Sequence, residues 1–127
     1  MNDARLIIST DDALRHLRFI RNKKQEYLLC LSLDSGNRLI RRRTVTIGLL
    51  DVSLVHPREV FAGPLKDRAA AVIIAHNHPS GFAEPSKQDI MATNQLVAAA
   101  QFLGITLLDH IIVTDKFHFS FREQGLL

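Results

Sequence analysis

Apolar side chains recur along this chain with two different periods. Leu14, Leu17 and Ile20 follow the capping-type run Ser9-Thr10-Asp11-Asp12 at helical spacing. That pattern predicts an amphipathic helix from Asp11 to about Asn22, closed by Lys23-Lys24, with Arg15, Arg18 and Arg21 toward water. Tyr27–Leu33 is an apolar run of β type, Asp34-Ser35-Gly36-Asn37 is turn chemistry, and Arg38–Ile47 reads as the returning strand of a hairpin. Pro57 fits the first turn of a short helix toward Ala62, which Gly63-Pro64 is expected to interrupt. Ala70–Ala75 is apolar throughout, as in a strand buried on both faces. His76–Pro85 carries Pro79, Ser80-Gly81 and Pro85 and reads as a loop. Ser86 opens the longest helix, with Ile90, Leu96, Val97, Ala100 and Leu103 as its buried stripe and Gly104 as its stop. Ile105–Leu108, Ile111–Thr114 and Phe117–Phe121 read as three short closing strands. This order predicts one α/β domain over residues 1–127, a mixed β-sheet flanked by helices, with a helical N-terminal part over 1–24.

Composition narrows the picture. A length of 127 residues suits one domain, and 46% hydrophobic with 23% charged residues is ordinary for a globular chain, which argues against a disordered tail. The net charge of +3 permits nucleic-acid contact without demanding it. The single cysteine, Cys30, allows no internal disulfide and no four-cysteine zinc site, and reads as a core thiol in a reducing, cytoplasmic setting. The Pro-Cys-x-x-Cys site of nucleobase deaminases is absent. Met1–Arg5 shows no export signal. Apolar stretches such as Ala69–Ala75 fall far short of the ~20 residues of a membrane span, so no membrane contact is expected.

The chemistry concentrates in His76-Asn77-His78-Pro79-Ser80-Gly81-Phe82-Ala83-Glu84-Pro85-Ser86-Lys87-Gln88-Asp89. Residues i and i+2 of an extended chain point to one side, so His76 and His78 can aim two imidazoles at one point. Asp89 falls on the first turn of the following helix. His/His/Asp is a plausible ligand set for catalytic zinc, which keeps a fourth position open for water. Each part also has a plainer reading. Ser86 and Asp89 fit a helix capping box, and a His-x-His pair at a strand end is often incidental. The conjunction of all these residues behind a buried strand favours the metal.

These residues resemble the JAMM motif of the JAB/MPN metalloproteases, His-x-His-x(10)-Asp with a serine three residues before the aspartate. More narrowly, Asn77, Pro79-Ser80-Gly81, Val55–Phe61 and Leu103–Val113 resemble bacterial RadC proteins, and the likeness runs from about Glu26 to the C-terminus. It implies a cytidine-deaminase-like α/β architecture in which His76, His78 and Asp89 ligate Zn2+ with water as the fourth ligand. It further implies that Ser86 hydrogen-bonds the oxyanion and that a glutamate acts as general base. Glu26, just before the first apolar strand, is the choice for that base; Glu59 is the runner-up and suits a structural ion pair better, while Glu84 is expected in solvent. The implied activity is zinc-dependent hydrolysis of a peptide or isopeptide bond in an unidentified protein or peptide. RadC proteins commonly carry an N-terminal helix-hairpin-helix region that is not seen here, so the chain looks like the JAMM domain alone. Gly63-Pro64 departs from the Ala-rich helix such proteins would have there.

Other signals are weaker. His56 lies outside the motif, His16 carries no partner at a telling spacing, and His118, alternating with Phe117 and Phe119, reads as a surface position; His110 beside Asp109 reads first as a structural histidine, with a role in orienting a ligand as the alternative. Arg41-Arg42-Arg43 is the sharpest basic cluster. It reads first as a solvated hairpin edge protected against strand pairing. The alternative is a weak DNA-contacting patch of a DNA-repair-associated accessory module whose metal site is structural or inactive.

Overall fold

A computed structural model describes residues 3–48 and 55–127; Met1 and Asn2, part of the stretch read for an export signal, lie outside the described residues. Its elements are α1 (Thr10–Leu14), a 3-10 turn (Arg18–Ile20), β1 (Tyr27–Leu33), β2 (Leu39–Ile47), α2 (Pro57–Lys66), β3 (Ala71–Asn77), α3 (Lys87–Leu103), β4 (Thr106–Val113) and β5 (His118–Ser120). The strands form one mixed sheet in the order β2-β1-β3-β4-β5. Among the described residues only β3 and β4 run parallel, because α3 connects them as a crossover, whereas the other pairs are antiparallel. The expected α/β architecture with a mixed sheet is therefore the one observed.

Strand alternation divides the core in two. Leu29, Leu31, Leu33, Ile73, Ala75, Ile111 and Val113 face the N-terminal segment through Ile7, Ala13, Leu17 and Ile20. Leu28, Cys30, Val72 and Ile74 face α2 and α3 through Val60, Phe61, Ala92, Leu96 and Ala100. With both faces covered, β1 and β3 are apolar nearly throughout. Burial pushes the Cys30 thiol up to about 12, so it is the inert core residue expected.

Several elements depart from the sequence pattern. The helix expected over Asp11–Asn22 is a single α-turn followed by a 3-10 turn. The His16 carbonyl accepts from the Arg42 guanidinium at 3.1 Å, and Leu17 leaves the helical region with φ −113° and ψ 2°. Leu17 and Ile20 still reach the core. Arg21 does not simply face water, since its Nε donates to the Thr114 carbonyl at 2.7 Å. In the other direction, α2 runs past Gly63-Pro64 to Lys66. Proline there removes one helical donor, but Pro64 is itself buried, and the Arg43 side chain lies across Gly63 where a Cβ would stand 2.5 Å from its Cδ. Strand β3 extends through His76 and Asn77, so the loop begins at His78. The first two closing strands are one, β4, with an irregularity at Leu108 where Ile73 pairs Asp109 rather than Leu108. On α3 the buried stripe is Asp89, Ala92, Thr93, Leu96 and Ala100, while Leu103 is exposed and Ile90 and Val97 are half-buried. Gly104 ends the helix in the left-handed conformation, φ +71°, as a C-cap requires.

The same alternation puts Arg42 on the opposite face of β2 from Arg41 and Arg43. Arg43 forms a two-pronged ion pair with Asp67 at the end of α2, Nη2 to Oδ1 at 2.9 Å, with Nη1 on Oδ2. Arg42 lies over the Phe19 ring, 4.5 Å from its centroid, on the other face. The Arg43 hydrogen bond holds the Asp67 carboxyl below its ordinary 3.8 against an opposing effect of burial. A carboxyl lowered on folding contributes stability above its unfolded value and loses it as pH falls through the folded one. Asp67→Asn is expected to cost about 1–3 kcal/mol near neutral pH and to flatten the acid limb below pH 4, as read by urea unfolding across pH.

Candidate metal centre

The carboxyl end of β3 carries the candidate ligands. His76 is buried at the strand end, and His78 follows two residues later on the same side. Asp89 stands in the first turn of α3, where the sequence Ser86-Lys87-Gln88-Asp89 forms a complete capping box: Ser86 Oγ accepts from the Asp89 amide at 3.0 Å, and Asp89 Oδ2 accepts from the Ser86 amide at 2.9 Å. The capping and metal readings of these two residues thus coexist. The box fixes the carboxylate, and its other contacts are the histidines: His78 Nε2 at 3.3 Å from Oδ2 and His76 Nε2 at 3.6 Å from Oδ1.

The two Nε2 atoms lie 2.9 Å apart. The rear of each ring is already engaged. His78 Nδ1 is 2.8 Å from the Phe82 carbonyl, which turns back over the loop, and His76 Nδ1 is 2.7 Å from His110 Nε2. Both Nε2 atoms therefore converge with a carboxylate oxygen, and one ligand atom from each of His76, His78 and Asp89 falls within 4.8 Å of the others. Two imidazoles and one carboxylate, each held from behind by a second partner, could hold a divalent metal ion.

The electrostatics agree. Burial alone would raise the Asp89 carboxyl, but the two imidazoles and the Ser86 amide outweigh it and hold the group far below the ordinary carboxylate range. Burial alone would lower His78, and the Asp89 carboxylate, the Phe82 carbonyl and the charge of Glu26 together raise it above 6.5. His110, with no exposed surface, is driven well below 6.5, chiefly by burial, which disfavours a charged ring.

A cleft of about 570 Å³ opens on the cluster, and its walls include Glu26, His78, Glu84, Ser86 and Asp89. Glu26 and Ser86 are thus brought to the same cleft as two of the candidate ligands, His78 and Asp89. Glu84 lines it too, from an exposed position. Glu59 does not; its exposed carboxylate sits 3.9 Å from Arg58 on α2. His118 is at the surface, 3.6 Å from Glu123, and His16 Nε2 meets the Ala4 carbonyl at 2.8 Å.

Two contributors escape the sequence pattern. His110 is the partner of His76 rather than a bystander in the core. Asn77, between the two histidines, points away from them: its Oδ1 accepts from the Tyr27 amide at 2.6 Å and its Nδ2 donates to the Gln25 carbonyl at 2.9 Å. That amide clamps the residues on either side of Glu26. The visible signal for Asn77 was its place between two histidines in strand alternation; for His110 it was the neighbouring Asp109, which allowed an orienting role but did not point to His76.

A mixed sheet whose parallel pair, joined by a capped helix, ends in a His-x-His/Asp cluster is consistent with a JAB fold carrying a group that could hold a metal ion. The chain belongs to the RadC-like JAB domain family, whose model matches residues 7–126. It is similar to the UPF0758 proteins of Pelobacter propionicus, 50% identical over 108 residues, and of Methanospirillum hungatei, 52% identical over 108 residues. Each of those matches covers 85% of this chain and 47% or 48% of the relative. The UPF0758 protein of Methanococcoides burtonii is 40% identical over 134 residues, covering 97% of this chain and 58% of the relative. The chain therefore spans about half the length of the curated relatives it matches. Among the described residues no helix is long and apolar enough to cross a membrane.

Proposed function

We propose that this domain is a zinc-dependent hydrolase of peptide or isopeptide bonds, acting in the cytoplasm on a protein or peptide substrate. The observation that carries this reading is the convergence of His76 Nε2, His78 Nε2 and an Asp89 oxygen beside a cleft that also contains Glu26 and Ser86. Zinc bound there would lower the pKa of water to about 7 and polarise a carbonyl. The Glu26 carboxylate accepts the proton of the attacking water and returns it to the leaving nitrogen. An oxyanion role for Ser86 is supported by its place on the cleft and by its hydroxyl, whose oxygen accepts from the Asp89 amide while its proton remains to donate. A DNA-contacting role through Arg41, Arg42 and Arg43 has less behind it, since Arg43 is engaged by Asp67 and Arg42 by Phe19 and the His16 carbonyl.

The test is exposure of zinc-loaded protein to a mixed peptide and isopeptide library with mass-spectrometric readout. Cleavage that a chelator stops and zinc restores is expected. Cleavage indifferent to the chelator would refute the zinc mechanism.

A further inference from the structure

Behind the ligand cluster lies a line of buried polar groups that the hydrolytic steps do not use. Thr93 Oγ1, on the second turn of α3, is 2.7 Å from the Asp89 carbonyl oxygen and 2.6 Å from His110 Nδ1. His110 Nε2 is in turn 2.7 Å from His76 Nδ1. The position of every hydrogen follows from one end of this line. A carbonyl oxygen can only accept, so the single hydroxyl proton of Thr93 points at Asp89. Oγ1 can then only accept from His110, whose Nδ1 must carry hydrogen. The neutral ring is left with a lone pair at Nε2 and accepts from His76, whose own Nδ1 must carry hydrogen. In the neutral His76 that a metal ion requires, Nε2 is therefore a lone pair, and it is the atom that faces His78 and Asp89.

We propose that Thr93 and His110 are positioning residues that lock His76 in the tautomer presenting Nε2 to a metal ion. This rests on the metal reading of the His-His-Asp cluster. A neutral imidazole can carry its hydrogen on either nitrogen, and a His76 with hydrogen on Nε2 would aim a proton where a cation must sit. The line prevents this. It also begins on the backbone of one ligand, Asp89, and ends on the ring of another, so the ligands from β3 and α3 are tied together by hydrogen bonds before any ion arrives. Ring rotation is blocked as well: His110 is wholly buried and stacks on Phe121 with ring centroids 4.6 Å apart and planes 7° apart.

The decisive pair of variants is Thr93→Val, which removes the hydroxyl from a side chain of similar shape, and Thr93→Ser, which keeps it. Zinc affinity, measured by competition with a chromophoric chelator, is expected to fall about 10–100-fold in Thr93→Val, the usual effect of losing a partner behind a ligand. Thr93→Ser is expected to stay near wild type. Imidazole nitrogen NMR of the metal-free protein is expected to show His76 and His110 both carrying hydrogen on Nδ1 in the wild type, and a mixture in Thr93→Val. Wild-type zinc affinity with an unchanged His76 tautomer in a folded Thr93→Val overturns the proposal, as does hydrogen on Nε2 of His76 in the wild type. Loss of zinc affinity shared by Thr93→Ser would also overturn it, pointing to packing instead. Failure of the wild type to take up zinc would refute the metal reading itself, and the tautomer spectrum would still decide the lock.

Discussion

His76→Ala is expected to strip zinc from the protein while leaving the sheet folded. The affinity of a structural zinc peptide is about 10–16 kcal/mol over four ligands. Losing one of three protein ligands at an open site should then cost about 3 kcal/mol or more, at least about a hundredfold in affinity. The loss is sharpened by burial: His76 sits at a strand end with Asp89 held in place by its capping box. Total metal per chain by mass spectrometry after dialysis, with circular dichroism as the folding control, checks this. Roughly one zinc per chain in wild type and none in His76→Ala is the expected result; equal metal in both would remove the ligand assignment.

Glu26→Gln should do the opposite, keeping the metal and losing the reaction. Glutamine has nearly the shape of glutamate but cannot accept a proton at neutral pH, so what disappears is general-base catalysis, worth about 10²–10⁴-fold in rate. Zinc content should remain at the wild-type level, because the ligand atoms of the cluster come from His76, His78 and Asp89. The measurement is turnover of whichever library peptide the wild type cleaves, paired with metal analysis of the same sample. An unaltered rate would take the base role from Glu26, and Glu84, on the same cleft, would be the next residue to replace.

Much of this was legible in the chain because the informative residues are local to one another. His76, His78, Ser86 and Asp89 lie within a span whose spacing alone places two imidazoles on one side of a strand and a carboxylate on a helix start. Apolar runs located β1 and β3 for the same reason. What was not legible depends on contacts between distant segments. His110 meets His76 only because β3 and β4 pair in parallel with Ile74 opposite His110; in sequence it looks like any histidine beside an aspartate. Its neighbour Asp109 reads as a break between strands, yet it stays within β4 because the Ser120 hydroxyl and the amides of His110 and Arg122 satisfy it. The N-terminal helix fails for a like reason. Arg42, from a strand 22 residues after Ile20, accompanies the break by bonding the His16 carbonyl, and no periodicity in Leu14, Leu17 and Ile20 could announce that.

The alternation at the end of β3 has a consequence for how this segment tolerates length changes. His76 and His78 look one way and Asn77 the other, so a single inserted or deleted residue between Ala71 and His76 would turn the amide clamp toward the cleft and both imidazoles toward the chain preceding β1. Ligands and base would be lost in one stroke. The turn from Pro79 to Pro85 is under no such parity constraint. It has only to return the Phe82 carbonyl to His78 and deliver Ser86 to its cap, so diversity in loop length is expected there and strict length in the strand that precedes it.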